Sequence, residues 1–403
     1  MMRLITRIVI LTGLLVCVAP AAGNKFVHAD GTRILAPDGA RLHLRGINLG
    51  NWLVPEGYMW HFDKGPASYR EISALLNELI GPAAADRFWK QYRTGYITES
   101  DIRFIHQAGF NSVRIPFISK LIEDGSAFPL LDQVIGWCRE MHIWVILDMH
   151  GAPGGQTGTN IDDSWGYPWL FESEEEQQLA AGFWRSIAQR YADEPAVLGY
   201  DLLNEPIPPE VDYLNPRLEP VYRKITEAIR AVDKNHAVII GGAQWDSNFG
   251  PLGPPFDPNA IYTFHKYWTA PTKDVIQSYL DFRERYKVPV WLGESGENRD
   301  DWIAQFRGVL DANDVGWAFW PYKKMDATSS PVSYARPAHW DEIVAYAALP
   351  AWVGEAEERM KKRPPADHVR QAFADLLEKI RLQNCQVNPG YLKALGMQVP
   401  AAR

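Results

Sequence analysis

The chain has 403 residues, 46% of them hydrophobic and 22% charged, and Gly and Pro are near ordinary levels, so it reads as globular rather than disordered or collagen-like. A formal charge of −8 argues against a nucleic-acid surface, which needs clustered Lys and Arg; a neutral partner makes no such demand. The length suits two modest domains or one large barrel, and the 16 Trp and 17 Tyr supply flat apolar faces for core packing or for stacking on sugar rings.

In chain order, Arg3 and Arg7 precede the apolar run Ile8 to Val18 and the small residues Ala19-Pro20-Ala21-Ala22. This pattern predicts an export signal over residues 1–22 and a secreted or periplasmic mature chain over residues 23–403. The run is too short to span a membrane comfortably, so no stable membrane insertion is expected. Lys25–Arg41 carries Asp30-Gly31 and Pro37-Asp38-Gly39 turns and reads as a small hairpin. Short apolar strands then recur: Leu42–Asn48, Ser112–Phe117, Trp144–Met149, Val197–Leu203, Ala237–Gly241, Ala260–His265, Val290–Gly293 and Gly316–Trp320. They alternate little between apolar and polar residues, as strands buried on both faces do.

Helices fall between them. Thr98-Glu99-Ser100-Asp101 opens one as a capping-box variant, and Gly109 ends it. Leu131, Val134, Cys138 and Met141 mark the stripe of another, where Cys138 acts as a small hydrophobe, unpaired with Cys385. Ser173 to Glu176 is a capping box opening a helix with Leu179, Phe183, Ile187 and Tyr191 inward. Leu218, Val221, Ile225, Ile229 and Val232 mark the next stripe, Trp302, Phe306 and Leu310 another, and Val369–Ile380 the last. Eight strands alternating with helices predict an α/β fold, a (β/α)8 TIM barrel of one domain with long loops at its catalytic face, the hairpin closing the bottom. No GxGxxG or P-loop follows a strand. There is no CxxC or HExxH and the His residues are scattered, so neither metal nor cofactor is expected. Asp162 and Asp163 read as a solvated loop.

The active face of such a barrel lies at the C-terminal strand ends. Arg114, His150, Asn204-Glu205-Pro206, His265-Lys266-Tyr267, Gly293-Glu294-Ser295 and Trp320 all fall there, and polar residues ending apolar strands have no packing rationale. Two carboxylates across a barrel mouth suit cleavage of a glycosidic bond: one protonates the leaving oxygen, the other meets the charge growing at the anomeric carbon. Glu205, held away from helix by Pro206, is assigned general acid and then general base. Glu294, following Gly293, is assigned nucleophile, with Arg114 and Tyr267 keeping it charged and oriented. A retaining mechanism requires their carboxyl groups to lie roughly 5–5.5 Å apart.

From Leu44 to Tyr322 the sequence resembles glycoside hydrolase family 5, on Gly109-Phe110-Asn111-Ser112-Val113-Arg114-Ile115-Pro116, Asp148-Met149-His150, Leu203-Asn204-Glu205-Pro206, Phe264-His265-Lys266-Tyr267, Gly293-Glu294-Ser295 and Phe319-Trp320. The resemblance implies that Arg114 steadies the nucleophile, that His150 and Asn204 bind sugar hydroxyls (Asn204 the 2-hydroxyl), that His265 and Tyr267 flank the glutamates, and that Trp320 stacks under the sugar. Arg45-Gly46-Ile47-Asn48-Leu49-Gly50-Asn51-Trp52-Leu53 and Asp148 to Gln156 look like the exo-β-1,3-glucanase branch, whereas Pro321 to Asp326 departs from it. The implied partner is a β-glucan or oligosaccharide. An endo-β-1,4-glucanase, a β-1,6-glucanase, a hydrolase of glucosylated lipids and a non-catalytic carbohydrate-binding barrel remain alternatives. The connections Gly50–Thr98, Gly151–Ser173 and Pro321–His339 are long and aromatic, which favours a pocket over an open groove. Trp52, Trp60, Trp165, Trp169, Trp245 and Trp268 are candidates for stacking on sugar.

Overall fold

Segments that are apolar on both faces must be covered on both, and eight of them close here into one parallel barrel. The computed structural model describes residues 25–350 and 356–400; the expected export signal lies outside them. The barrel strands are β1 (Arg45–Asn48), β2 (Ser112–Ile118), β3 (Trp144–Gly151), β4 (Val197–Asp201), β5 (Ala237–Gly241), β6 (Ala260–His265), β7 (Val290–Glu294) and β8 (Gly316–Phe319). Neighbours pair in sequence order, and β8 closes on β1 through Trp317↔Arg45 and Phe319↔Ile47. Six strand ends differ from expectation, β2, β3 and β7 running on to Ile118, Gly151 and Glu294 and β8 stopping at Phe319. β1 starts at Arg45 rather than Leu42, and β4 stops at Asp201, leaving Leu202 to Glu205 to turn over the barrel top.

The expected hairpin pairs His28–Asp30 with Arg33–Leu35, and its Val27 and Ile34 pack with Leu44, Ile146, Leu198, Ile239, Ile261 and Trp291. This apolar plug covers the N-terminal end of the barrel, opposite the C-terminal strand ends. Most predicted helix stripes are the buried ones: Leu218, Val221, Ile225 and Ile229 in Leu218–Arg230, and Trp302, Phe306 and Leu310 in Asp300–Ala312. One stripe is misplaced. In Glu174–Tyr191 the inward residues are Ala180, Trp184, Ile187, Ala188 and Tyr191, while Leu179 is exposed, because the bulk of Trp184 sets the face. Cys138 is buried and both it and Cys385 are free thiols.

The connection after β1 is not a loop. It folds into Tyr69–Ile80 and Pro82–Tyr96, opened by a Ser68–Glu71 capping box and by Pro82. Beyond β8, strands Lys323–Met325, Val332–Tyr334 and Gln386–Val387 form a second small sheet, and helices Trp340–Ala347 and Ala366–Lys379 follow. Trp60, Phe88, Trp340 and Phe373 join these pieces in one aromatic cluster that is continuous with the barrel core. Lys323, fully buried, is held by Asp101 at 2.7 Å and by the carbonyls of Tyr96 and Ile380. Among the described residues no helix is long and apolar enough to cross a membrane.

Candidate active site

The C-terminal strand ends surround a cavity of about 550 Å³ lined by Glu205, Glu294, His150, His265, Tyr267 and Trp320, all expected there. Arg114 and Asn204, also expected there, are fully buried and lie beneath the lining instead.

Arg114 is the hub. Its Nη1 donates to Glu294 Oε1 at 2.5 Å and to Asn48 Oδ1 at 3.2 Å, its Nε to Asp201 Oδ2 at 2.8 Å, and its Nη2 to Asn204 Oδ1 at 2.9 Å. Asp148 approaches the same Nη2 at 3.1 Å. One guanidinium thus serves three carboxylates. Burial accordingly pushes Asp148 and Asp201 each up to about 7, against the opposing pull of Arg114. Asn48 locks the hub to the next strands by donating to the carbonyls of Gly293 at 3.0 Å and Phe319 at 3.2 Å.

The two glutamates sit in different environments. Glu294 accepts from Arg114 on Oε1 and from the Tyr267 hydroxyl on Oε2 at 2.9 Å. Glu205 touches no cationic side chain; His265 Nδ1 lies 2.9 Å from its Oε1, and burial pushes the carboxyl up to about 7. Burial also holds His265 down at about 3 and His150 at about 4, so both rings are neutral at physiological pH. One oxygen of Glu205 and one of Glu294 lie within 4.8 Å of each other.

Backbone devices fix Glu205. The residue is left-handed (φ +48°), out of right-handed helix as Pro206 requires but not extended, and its N–H donates to Asp246 Oδ2 at 2.9 Å. Asp246 itself comes from a turn of three consecutive left-handed residues, Gln244, Trp245 and Asp246, which folds its carboxylate back over β5. Only glycine fits opposite it: a Cβ at Gly241 would stand 1.9 Å from Asp246 Oδ1. Gly293 is constrained in the same way, since a Cβ there would lie 2.4 Å from Thr263 Oγ1 and 2.7 Å from His265 Nε2. The bare strand ahead of Glu294 therefore makes room for His265.

The remaining walls come from residues the sequence did not single out. The segment after β1 supplies Glu56 and Tyr58, and the one after β7 supplies Glu297, which pairs with Lys324. Burial, and then Glu294, Glu297 and Glu205, hold Glu56 well above the usual carboxylate range. Tyr58 accepts the Trp320 indole N–H at 2.8 Å, and the Trp320 ring lies flat on His150, centroids 5.6 Å apart and 10° from parallel. His150 Nδ1 pairs with Asp148 at 2.8 Å. Gln156 ties the site together from below by donating to the carbonyls of His150 and Asn204, each at 2.8 Å.

Of the six Trp residues offered for stacking, Trp245 and Trp268 line the cavity. Trp52 and Trp60 do not: both are buried, their indole N–H groups donating to Arg93 O at 2.7 Å and Asn51 Oδ1 at 3.0 Å, because the helices after β1 enclose them. Trp165 stacks on Arg70 at 3.6 Å beside a neighbouring cavity, and Trp169 packs on Tyr167. Asp162 is buried, not solvated; its carboxylate accepts the N–H groups of Thr157 and Ser164.

Two donor triplets converge here, Asp148–His150–Glu294 and Glu205–His265–Glu294. Both use Glu294, whose oxygens already hold the Arg114 guanidinium and Tyr267, and a metal cation there would stand beside a fixed positive charge. The donor set suits proton and carboxylate chemistry.

A family model described as cellulase (glycosyl hydrolase family 5) matches residues 78–326. The chain is 30% identical over 259 residues to a beta-xylosidase of Phanerodontia chrysosporium, covering 60% of this chain and 52% of that protein. It is 26% identical over 311 residues to endoglucanase C of Acetivibrio thermocellus, covering 59% and 88%. It is 32% identical over 209 residues to probable glucan 1,3-beta-glucosidase A of Aspergillus fumigatus, covering 49% of each. The match spans about half the length of the first and third of these relatives. With its matched span running from the helices after β1 through β8, the chain belongs to glycosyl hydrolase family 5.

Proposed function

We propose that the chain hydrolyses β-glucosidic bonds of a glucan or gluco-oligosaccharide with retention of configuration, releasing glucose from β-1,3-linked chain ends. The observation that carries this reading is the unequal glutamate pair. Glu205 and Glu294 have oxygens within 4.8 Å of each other, one carboxyl raised to about 7 by burial and the other held by Arg114 and Tyr267. That proximity agrees with a separation of about 5–5.5 Å, at which one carboxylate attacks directly, better than with the roughly 6.5–9.5 Å that leaves room for a water.

In the first step a Glu294 oxygen bonds to the anomeric carbon as its bond to the leaving oxygen breaks, and Glu205 gives that oxygen its proton. In the second, Glu205, now a carboxylate, takes a proton from water. The hydroxyl bonds to the anomeric carbon, Glu294 leaves, and both residues return to their starting states. Neutral His265 keeps Glu205 hydrogen-bonded without adding a charge that would lower its proton affinity. Tyr267 and Arg114 hold the two Glu294 oxygens in place for attack.

Action at chain ends is supported by what the long connections add to the cavity lining: Glu56 and Tyr58 after β1, Glu297 after β7, and the aromatic faces of Trp245 and Trp268. A similar protein is named glucan 1,3-beta-glucosidase, which favours that linkage. The charged, apolar and small-residue pattern of residues 1–22 supports export to the periplasm or beyond as the setting. Proton NMR of an early laminarin digest tests the whole reading: glucose should be the first product and should emerge as the β-anomer. α-Glucose would refute retention, and oligosaccharides of many lengths would refute end-directed action.

A further inference from the structure

Away from the barrel mouth, three potential metal donors meet where the second layer folds back on itself. His339 begins the helix Trp340–Ala347, Glu342 lies one turn into it, and His368 projects from the helix Ala366–Lys379. His339 Nδ1 lies 3.0 Å from Glu342 Oε1, and His368 Nδ1 lies 3.0 Å from Oε1 and 2.9 Å from Oε2. The imidazoles are face to face, centroids 3.7 Å apart and 14° from parallel, with both Nδ1 edges directed at one carboxylate. We propose that His339, Glu342 and His368 form a binding site for a divalent late first-row ion, of which zinc is the representative, clipping these two helices together.

Size, chemistry and preorganisation support the assignment. A tetrahedral zinc with legs of about 2.0–2.1 Å needs donors about 3.3–3.4 Å apart. The His–Glu spacings are 2.9–3.0 Å and all three donors lie within 4.8 Å of one another, so each donor moves by an ångström or less to close on an ion. His339 and His368 side chains are 28% and 34% exposed, enough to rotate out of their stack. Two imidazoles and one carboxylate form a borderline-soft set that suits zinc, leaving a fourth position for water.

The backbone is arranged in advance. Ala338 N–H donates to Asp375 Oδ2 at 2.8 Å and Lys379 Nζ to Arg336 O at 3.0 Å, pinning the approach to His339 against the helix that carries His368. His339 itself is left-handed at φ +57°, a cost that a helix start does not require and that turns its ring back over Glu342. The next residue, Trp340, donates to Trp60 O at 2.8 Å, two residues along the chain from Tyr58 of the cavity wall. An ion at the clip therefore stiffens the layer behind that wall.

The test uses the full chain freed of metal by chelator and titrated calorimetrically with zinc chloride. One ion per chain should bind with micromolar or tighter affinity, raising the melting temperature. Cobalt(II) should give the visible absorption of a tetrahedral site. His368→Ala and Glu342→Gln should each weaken zinc binding at least tenfold while keeping the circular dichroism of the parent. Glu294→Gln, which removes a donor shared by both cavity triplets, should leave binding unchanged. Absence of saturable binding, binding that survives a His339→Ala/His368→Ala double variant, or binding lost with Glu294→Gln would each overturn the proposal. None of these readouts depends on hydrolysis.

Discussion

Replacing Glu205 by Gln separates proton donation from every other feature of the cavity, because the amide keeps the shape but has no acidic proton. With its carboxyl held at about 7 rather than 4.5, Glu205 is about nine-tenths protonated at pH 6, where an ordinary glutamate is about 3% protonated. The parent kcat/KM should therefore fall tenfold per pH unit above about 7, and that limb should vanish in Glu205→Gln. On an unactivated β-glucoside the variant should lose about 10²–10⁴-fold in kcat/KM. On a dinitrophenyl β-glucoside, whose leaving group needs no proton, most of kcat/KM should remain. The same displacement has a stability sign. The folded chain binds this proton more tightly than the unfolded one, so the carboxyl costs nothing below pH 4.5 and progressively more as pH rises to 7. At about 1.4 kcal/mol per pH unit the ceiling is ~3 kcal/mol. Partial exposure of the side chain and the lost carboxyl–His265 contact reduce the expected gain of Glu205→Gln at pH 8 to about 1–2 kcal/mol. Equal losses on the two substrates, or an alkaline limb that survives the substitution, would refute the assignment of Glu205 as acid.

Arg114→Met should destabilise the chain by about 3–5 kcal/mol in denaturant titration at pH 7, because Asp148, Asp201 and Glu294 lose their shared cation inside the barrel. The deficit should grow as pH rises above about 7, where Asp148 and Asp201 ionise in the parent while loss of the cation keeps them protonated in the variant. Trp60→Ala should cost about 3–5 kcal/mol, since the ring is fully buried. Trp268→Ala, 73% exposed at the cavity rim, should change stability by no more than about 0.5 kcal/mol and act instead by raising KM for oligosaccharides.

What was legible in the sequence follows from which residues had no other explanation. Eight strands showed themselves because burial on both faces leaves unalternated apolar runs, and the cavity residues stood out as polar groups ending those runs. Asp148 and Asp201 were harder to read. Each is one polar residue inside an apolar strand, and its meaning, a share of Arg114, depends on contacts across the barrel. Asp246 gave no signal at all: Gln244-Trp245-Asp246 contains no glycine to mark three consecutive left-handed residues. Only the preceding Gly241-Gly242 hinted at a tight approach. Glu56 and Tyr58 lie in a connection read as loop, while Trp52 and Trp60 in the same connection are core. A tryptophan's fate there is decided by helices drawn partly from residues 340–379, beyond any local window. His339, Glu342 and His368 were invisible for the same reason, their donors being set by helix packing rather than by spacing.

The chemistry rests on an asymmetry that neither glutamate has alone. Glu294 ends the apolar strand β7, and Glu205 lies in the turn beyond β4, where burial raises its carboxyl. The difference is the strand that each faces. Glu294 is reached by Arg114 from β2, and Asn48, by gripping the carbonyls of Gly293 and Phe319, keeps that reach short. Glu205 is reached only by a neutral imidazole and by the pull of Asp246 on its N–H. Moving positive charge nearer Glu205 would lower its proton affinity, and removing Arg114 would take from Glu294 the donor that holds its Oε1. Arg114 therefore does for two glutamates what no residue beside either one does. It donates to Glu294 and not to Glu205, while two buried aspartates share its remaining edges.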